Sequence, residues 1–393
     1  MEINFGSRVT NCGVIFDLNG NYGIQNNSMW IHGNNWNGRV TFPNGINKFS
    51  VNSSLLNKRV EIPNSVTSAN SSFTYCSRFN QNVQIPNNVT DATQMFAYCY
   101  NLNQNIRIPN SVINVTQMFY LCNKLNQNIQ IPSGVIRVDN MFGACSNLNQ
   151  NIQIPNGVKF MGYMFKGCSA LNQNIQIPNS VTYMVEAFSG CNNLNQNIQI
   201  PNSVTSMTNT FSGCNNLNQN IQIPNSVTDM SCTFNGCNKL NQNIQIPNNV
   251  TNMHSTFSSC NNLNQNIQIP NSVTSMSNTF SRCNKLNQNI QIPNSVINAW
   301  FVFRNCNNIC DITINDGVAN NVFVGMLSTN NTHARNIWTG QASATNLITT
   351  NIIHPANANS QLAVQILPTW ETITNGYYNA LYNVYIYTNA VFN

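Results

Sequence analysis

The sequence predicts a repeat solenoid with small β-rich ends, and three observations carry the prediction. Prolines fall at 63, 86, 109, 132, 155, 178, 201, 224, 247, 270 and 293, each 23 residues after the last. Cysteines follow 13 residues behind, from Cys76 to Cys306. Val recurs once per period from Val66 to Val296, and Phe from Phe73 to Phe303. A fixed period of this length marks coils that bury their apolar side chains only against their neighbours.

The coil from Asn195 to Leu217 shows the pattern of one repeat. Ile198 and Ile200 alternate with Gln199, which predicts a short strand with the isoleucines inward and the glutamine outward. Pro201 ends that strand, having no N–H to offer and holding its predecessor extended. Val204, Met207, Phe211, Cys214 and Leu217 then follow at steps of three and four. That spacing predicts one side of a short helix or a chain of 3₁₀ turns. Stacking the coils puts Val, Phe and Cys into columns that form the core.

These residues resemble the BspA-like leucine-rich repeats. The strand-and-turn motif is present as Ile221-Gln222-Ile223-Pro224-Asn225-Ser226-Val227-Thr228, and the FxxC side as Phe234-Asn235-Gly236-Cys237. Earlier coils carry Met95-Phe96, Met118-Phe119, Met141-Phe142 and Met164-Phe165, as the related MFxxC repeats do. The resemblance spans residues 60 to about 318. It implies a leucine-rich-repeat-like, right-handed coil with a parallel β-sheet on one face and the helical or 3₁₀ turns on the other. Such repeats occur in bacterial surface adhesins, protist surface proteins and phage or other viral proteins, so the resemblance is specific for fold and open on function.

The expected organisation is a β-rich N-terminal cap or anchor at 1–38, the solenoid at 39–318 and a β-rich C-terminal domain at 319–393. Val14-Ile15-Phe16 and Ser28-Met29-Trp30-Ile31 read as cap strands, and Val40-Thr41-Phe42-Pro43 as a degenerate first repeat strand. Ile312-Thr313-Ile314 arrives one residue early and carries Asn315-Asp316-Gly317 in place of Pro-Asn-Ser, which predicts a closing coil. Beyond it, Leu362–Leu367 and Val384–Tyr387 read as strands.

Composition excludes several function classes. Charged residues are 7% and the net charge of +6 is spread thinly, with no basic cluster for nucleic acid. The chain has no run of 18 apolar residues, so membrane insertion is not expected. Met1 is not followed by a basic segment and an apolar run, which leads to the expectation of assembly in a host cytoplasm and release by lysis. The column cysteines fit reduced, buried thiols; Cys12, Cys232 and Cys310 stand outside the column. His32, His254, His333 and His354 have no partners at metal-ligand spacing, and no phosphate loop or nucleophile elbow is present. No catalytic residue, metal or cofactor is therefore expected, and the protein reads as a non-enzyme.

What remains is surface. The outward positions of the strands are Gln84, Arg107, Gln130, Gln153, Gln176, Gln199, Gln222, Gln245, Gln268 and Gln291. Two uses are open for such a ladder: amides bonding from coil to coil, together with the Asn-Gln-Asn triplets, or recognition of neutral polar ligands such as glycans. Trp338, Trp370, Tyr377 and Tyr378 in the C-terminal region are the second candidate, as an interface. Three functions follow. The first is a virion protein of a phage, as fibre, receptor-binding or decoration protein, with other virion proteins or a host-surface glycan or protein as partners, and self-association as a homo-oligomer. The alternatives are a BspA-like cell-surface adhesin and an intracellular protein-binding scaffold.

Overall fold

The computed structural model describes residues 45–309 without a break, with residues 27–32 and 40–42 and short strands towards both ends. It forms two compact units, Met1–Ser203 and Val204–Asn393. The expected boundaries at 38/39 and 318/319 lie outside the described residues.

The core is the one the periodicity predicts, except that the second isoleucine of the strand segment is only half-buried at Ile200, Ile223, Ile246 and Ile269. In the first unit Val112, Met118, Phe119, Cys122, Leu125 and Ile129 are fully buried, and their equivalents repeat coil by coil. Phe119 lies between Phe96 and Phe142, with ring centroids 5.7 Å away on both sides and interplanar angles of 7° and 3°. The second unit repeats the stack, Phe234 and Phe257 lying 5.7 Å apart. Where the first unit buries Met95 or Met118, the second buries Thr233 or Thr256. Thr233 Oγ1 donates to the carbonyls of Met207 and Met230, which satisfies the buried hydroxyl. The column thiols from Cys76 to Cys191 and from Cys237 to Cys306 are likewise satisfied: Cys122 Sγ donates to Phe96 O at 3.1 Å, and Cys145 Sγ to Phe119 O at 3.1 Å.

The backbone on the Phe-Cys side corrects the expectation of a helix or 3₁₀ turns. No helix of either kind occurs among the described residues. In the coil from Pro109, the amides of Met118, Tyr120 and Cys122 donate to the carbonyls three residues back, on Val115, Gln117 and Phe119. The amides between them, on Gln117, Phe119 and Leu121, donate to Asp139, Met141 and Gly143 in the next coil, at 2.8–3.0 Å. Gln117 and Leu121 have φ of 54° and 60°. A positive φ at the third residue of a turn is what a type II turn requires, so turns of that kind alternate along the segment. The i, i+3 spacing survives, but half the N–H groups point from coil to coil. A helix would have turned them all inward along its own axis.

The parallel face is also narrower than expected. The ladder is one residue wide and passes through the second residue after each Val: Ser68, Asp91, Asn114, Arg137, Phe160 and Tyr183 in the first unit, Ser206 to Asn298 in the second. Among the described Ile-Gln-Ile segments only Ile290–Ile292 is a strand. The cause is local. Ile106 N–H turns back to Gln104 O, as Ile129 does to Gln127 O, and the proline closing each segment has no N–H. Too few donors remain for a regular ladder there.

Towards the ends the strands lengthen. Val40–Thr41 pairs in parallel with Val60–Glu61, Val40 opposite Val60, as the degenerate repeat strand predicts. Ile15–Phe16, Tyr22–Gln25 and Ser28–His32 pair antiparallel in turn, and Ser28–His32 pairs in parallel with Lys48–Asn52. At the other end Ile290–Ile292 pairs with Asp311–Ile314, Ile290 opposite Ile312, which is the one-residue-early register. The parallel order does not close there. Asn336–Thr339 pairs with Asp311–Ile314, and Ala363–Ile366 with Asn336–Thr339. Tyr377–Asn379 and Val384–Ile386 form an antiparallel pair.

Candidate functional site

The ladder candidates, from Gln84 to Gln291, are all exposed. Coil-to-coil amide bonding runs through the Asn-Gln-Asn triplets beside them. Asn103 Oδ1 accepts from Asn126 N at 2.9 Å and Gln127 Nε2 at 3.0 Å, and the arrangement repeats at Asn126, Asn149 and Asn172. The outward glutamines bond locally instead, as Gln130 Nε2 does to Asn128 Oδ1 and Gln268 Nε2 to Asn266 Oδ1. Gln84 and Arg107 come together at an open polar hollow of about 480 Å³, between Ile62 and Pro109.

Of the second candidate set, Trp338 falls in the strand Asn336–Thr339 and Tyr377 and Tyr378 in Tyr377–Asn379. Trp370, and the side chains of the other three, lie outside the described residues.

The structure assembles a charged and aromatic cluster that the sequence reading missed. Arg137, Phe160 and Tyr183 are consecutive rungs of the parallel ladder, in a column otherwise held by Ser, Asp and Asn in most coils. Adjacent rungs of a parallel ladder present their side chains side by side, about 4.8 Å apart. Arg137 lays its guanidinium over the Phe160 ring, 4.2 Å from the centroid, and pairs with Asp139 at 3.0 Å. The Phe160 and Tyr183 rings tilt at 52° to each other with centroids 6.5 Å apart. Tyr163, at a positive-φ turn position, supplies a third ring and faces Lys166, whose ammonium pairs with Glu186. Asp139 is half-buried; Gly162 N–H donates to its Oδ1 at 2.8 Å, and burial raises its carboxyl above the usual range, opposed by Arg137. Arg137, Asp139, Phe160, Tyr163 and Tyr183 surround a hollow of about 340 Å³. The signal available in the sequence was the break in the consensus: an aromatic or a cation where the column has a small polar residue.

The buried column thiols are poor nucleophiles. Burial pushes Cys76 and Cys306 up to about 12 and raises the thiols from Cys99 to Cys168 and from Cys237 to Cys283 as well, whereas a reactive cysteine needs a lowered value. Among the described residues no three metal-ligating side chains gather, and no helix is long and apolar enough to cross a membrane.

The sequence pattern of the family described as "Mycoplasma protein of unknown function, DUF285" matches residues 45–154, 109–200, 132–223, 161–269 and 205–315. These overlapping matches run without a gap from 45 to 315, well over half of the chain. Among solved structures the chain is similar to a leucine-rich cell-surface protein from Faecalibacterium prausnitzii, at 22% identity and a TM-score of 0.53, over 87% of this chain and 99% of that one. It is also similar to the pneumococcal vaccine antigen PcpA, at 13% identity and a TM-score of 0.51, over 92% of this chain and 100% of that one. At such identities the likeness establishes the fold, a leucine-rich-repeat solenoid, in agreement with the BspA-like resemblance. Comparison with curated protein sequences gives no match.

Proposed function

The chain belongs to the family described as "Mycoplasma protein of unknown function, DUF285", and we propose that it acts without catalysis, as a surface-displayed repeat protein that attaches to molecules of another cell. The observation that carries this reading is the shared fold, along almost the full length of both chains, with a leucine-rich cell-surface protein. A bacterial antigen of the same fold supports it.

The phage-virion reading finds no support. The matching family takes its description from a cellular organism, and the similar solved structures include a cell-surface protein. We therefore place the adhesin reading ahead of it. In the test, purified chain is added to an attachment assay in which the producing cells settle on a host cell layer. Competition by the folded chain, and none by the heat-unfolded chain, is the expected result. Undiminished attachment at saturating chain would refute the reading.

A further inference from the structure

We propose that the hollow formed by Arg137, Asp139, Phe160, Tyr163 and Tyr183 is a binding site for a neutral saccharide. The proposal deepens the attachment reading by naming a ligand class and the coils that hold it.

The first argument is the contrast with the rest of the chain. A repeat surface is uniform, so any one coil offers what its neighbours offer. Here three successive coils depart from the consensus at positions that the ladder sets side by side. The departures also fit one another. Arg137 is stacked on Phe160 and paired with Asp139, and Asp139 is held by the backbone of Gly162.

The second argument is Gly162. The same place carries a side chain in every other repeat of the array, among them Thr93, Asp139, Val185 and His254. A Cβ at 162 would lie 2.5 Å from Tyr183 Cε1 and 3.0 Å from Asp139 Oδ1. Glycine therefore clears the floor on which the Tyr183 ring and the Asp139 carboxylate sit together.

The third argument is chemistry. A pyranose carries an apolar C–H face and a rim of hydroxyls. The negative faces of tilted aromatic rings attract the C–H side, and a carboxylate and a guanidinium give charge-assisted bonds to the hydroxyls. Arg137 and Asp139 cancel in charge, as do Lys166 and Glu186, so the site gives a strongly anionic or cationic ligand no advantage. At about 340 Å³ the hollow falls in the range of small-ligand sites and suits one sugar ring or the end of a chain. Tyr183 is 39% exposed, which leaves a ring edge for a ligand arriving from solvent.

The test uses the full chain on an array of neutral, sialylated and sulfated oligosaccharides with a panel of basic peptides, followed by titration calorimetry. Retention on at least one neutral oligosaccharide is expected. Its affinity should fall by about tenfold or more in Tyr183→Ala and in Asp139→Asn, and stay near wild type in Tyr183→Phe. Gly162→Ala should weaken it too, by moving the Tyr183 ring. The melting temperature of each variant guards against loss of fold, and Asp139→Asn keeps the test open if Tyr183→Ala unfolds. No retention on neutral saccharides, retention on anionic glycans or basic peptides alone, or equal binding by a folded Tyr183→Ala would each overturn the proposal. A Tyr183→Ala chain that still competes for cell attachment while losing no saccharide affinity sinks this site and leaves the attachment reading standing. A chain that binds saccharide through Tyr183 but never competes for cells does the reverse.

Discussion

Raising the pH through the ordinary thiol range should destabilise this protein steeply. The cause is the thiol column. In the first unit, burial pushes Cys76, Cys99, Cys122, Cys145 and Cys168 above the ordinary thiol value of 9.0, Cys76 to about 12. Below about pH 9 each thiol is protonated in both folded and unfolded chains, and pH has no effect through it. Above that value the unfolded chain releases the proton and the folded chain keeps it, so stability falls as pH rises towards the folded value. One pH unit beyond the unfolded value costs about 1.4 kcal/mol per thiol. Five thiols together have lost roughly 7 kcal/mol by pH 10, about 5 kcal/mol of it between pH 9 and pH 10, against a typical domain stability of about 5–15 kcal/mol. Urea unfolding under reductant at pH 7.5, 9 and 10 measures this directly. The midpoint should drop steeply above pH 9, and Cys122→Ala should reduce the slope by one proton. A midpoint that stays level from pH 8 to pH 10 would refute the reasoning, because the thiols would then titrate alike in both states.

Two further predictions concern packing and the surface. Phe119→Ala removes a ring stacked on both sides at 5.7 Å and should cost about 3–5 kcal/mol; an unchanged denaturation midpoint would contradict the buried-column assignment. Asn103→Ala strips a double acceptor from the next coil and should cost on the order of 1 kcal/mol, whereas Gln130→Ala on the exposed column should stay within about 0.5 kcal/mol. Equal losses would mean that the outward glutamines also tie coil to coil.

The core was legible because side-chain burial depends on which residues recur, and Val, Phe and Cys recur at a fixed interval. The path of the backbone was not. Val112, Val115, Phe119 and Cys122 have the spacing of a helix face, and the same spacing arises when residues four apart, such as Gln117 and Leu121, adopt positive φ. Gln117, Leu121 and Tyr163 do so without being glycine, because the next coil's carbonyls reward the outward-turned amides. Gly167, Gly190, Gly213 and Gly236 at the second such position were the readable clue. The outward glutamines were placed correctly at the surface, yet their strand ladder was not found in most coils, since the first Ile amide turns back on its own coil. The saccharide hollow depends on register. Arg137, Phe160 and Tyr183 are 23 residues apart and look unrelated until the ladder sets them side by side.

Display outside the cell is the claim on which the function rests, and labelling of intact cells tests it most directly. Antibody raised against the solenoid should label unpermeabilised producing cells, and brief protease treatment should remove that label while a cytoplasmic marker stays whole. Label that appears only after permeabilisation, or only on released phage particles, would contradict the account.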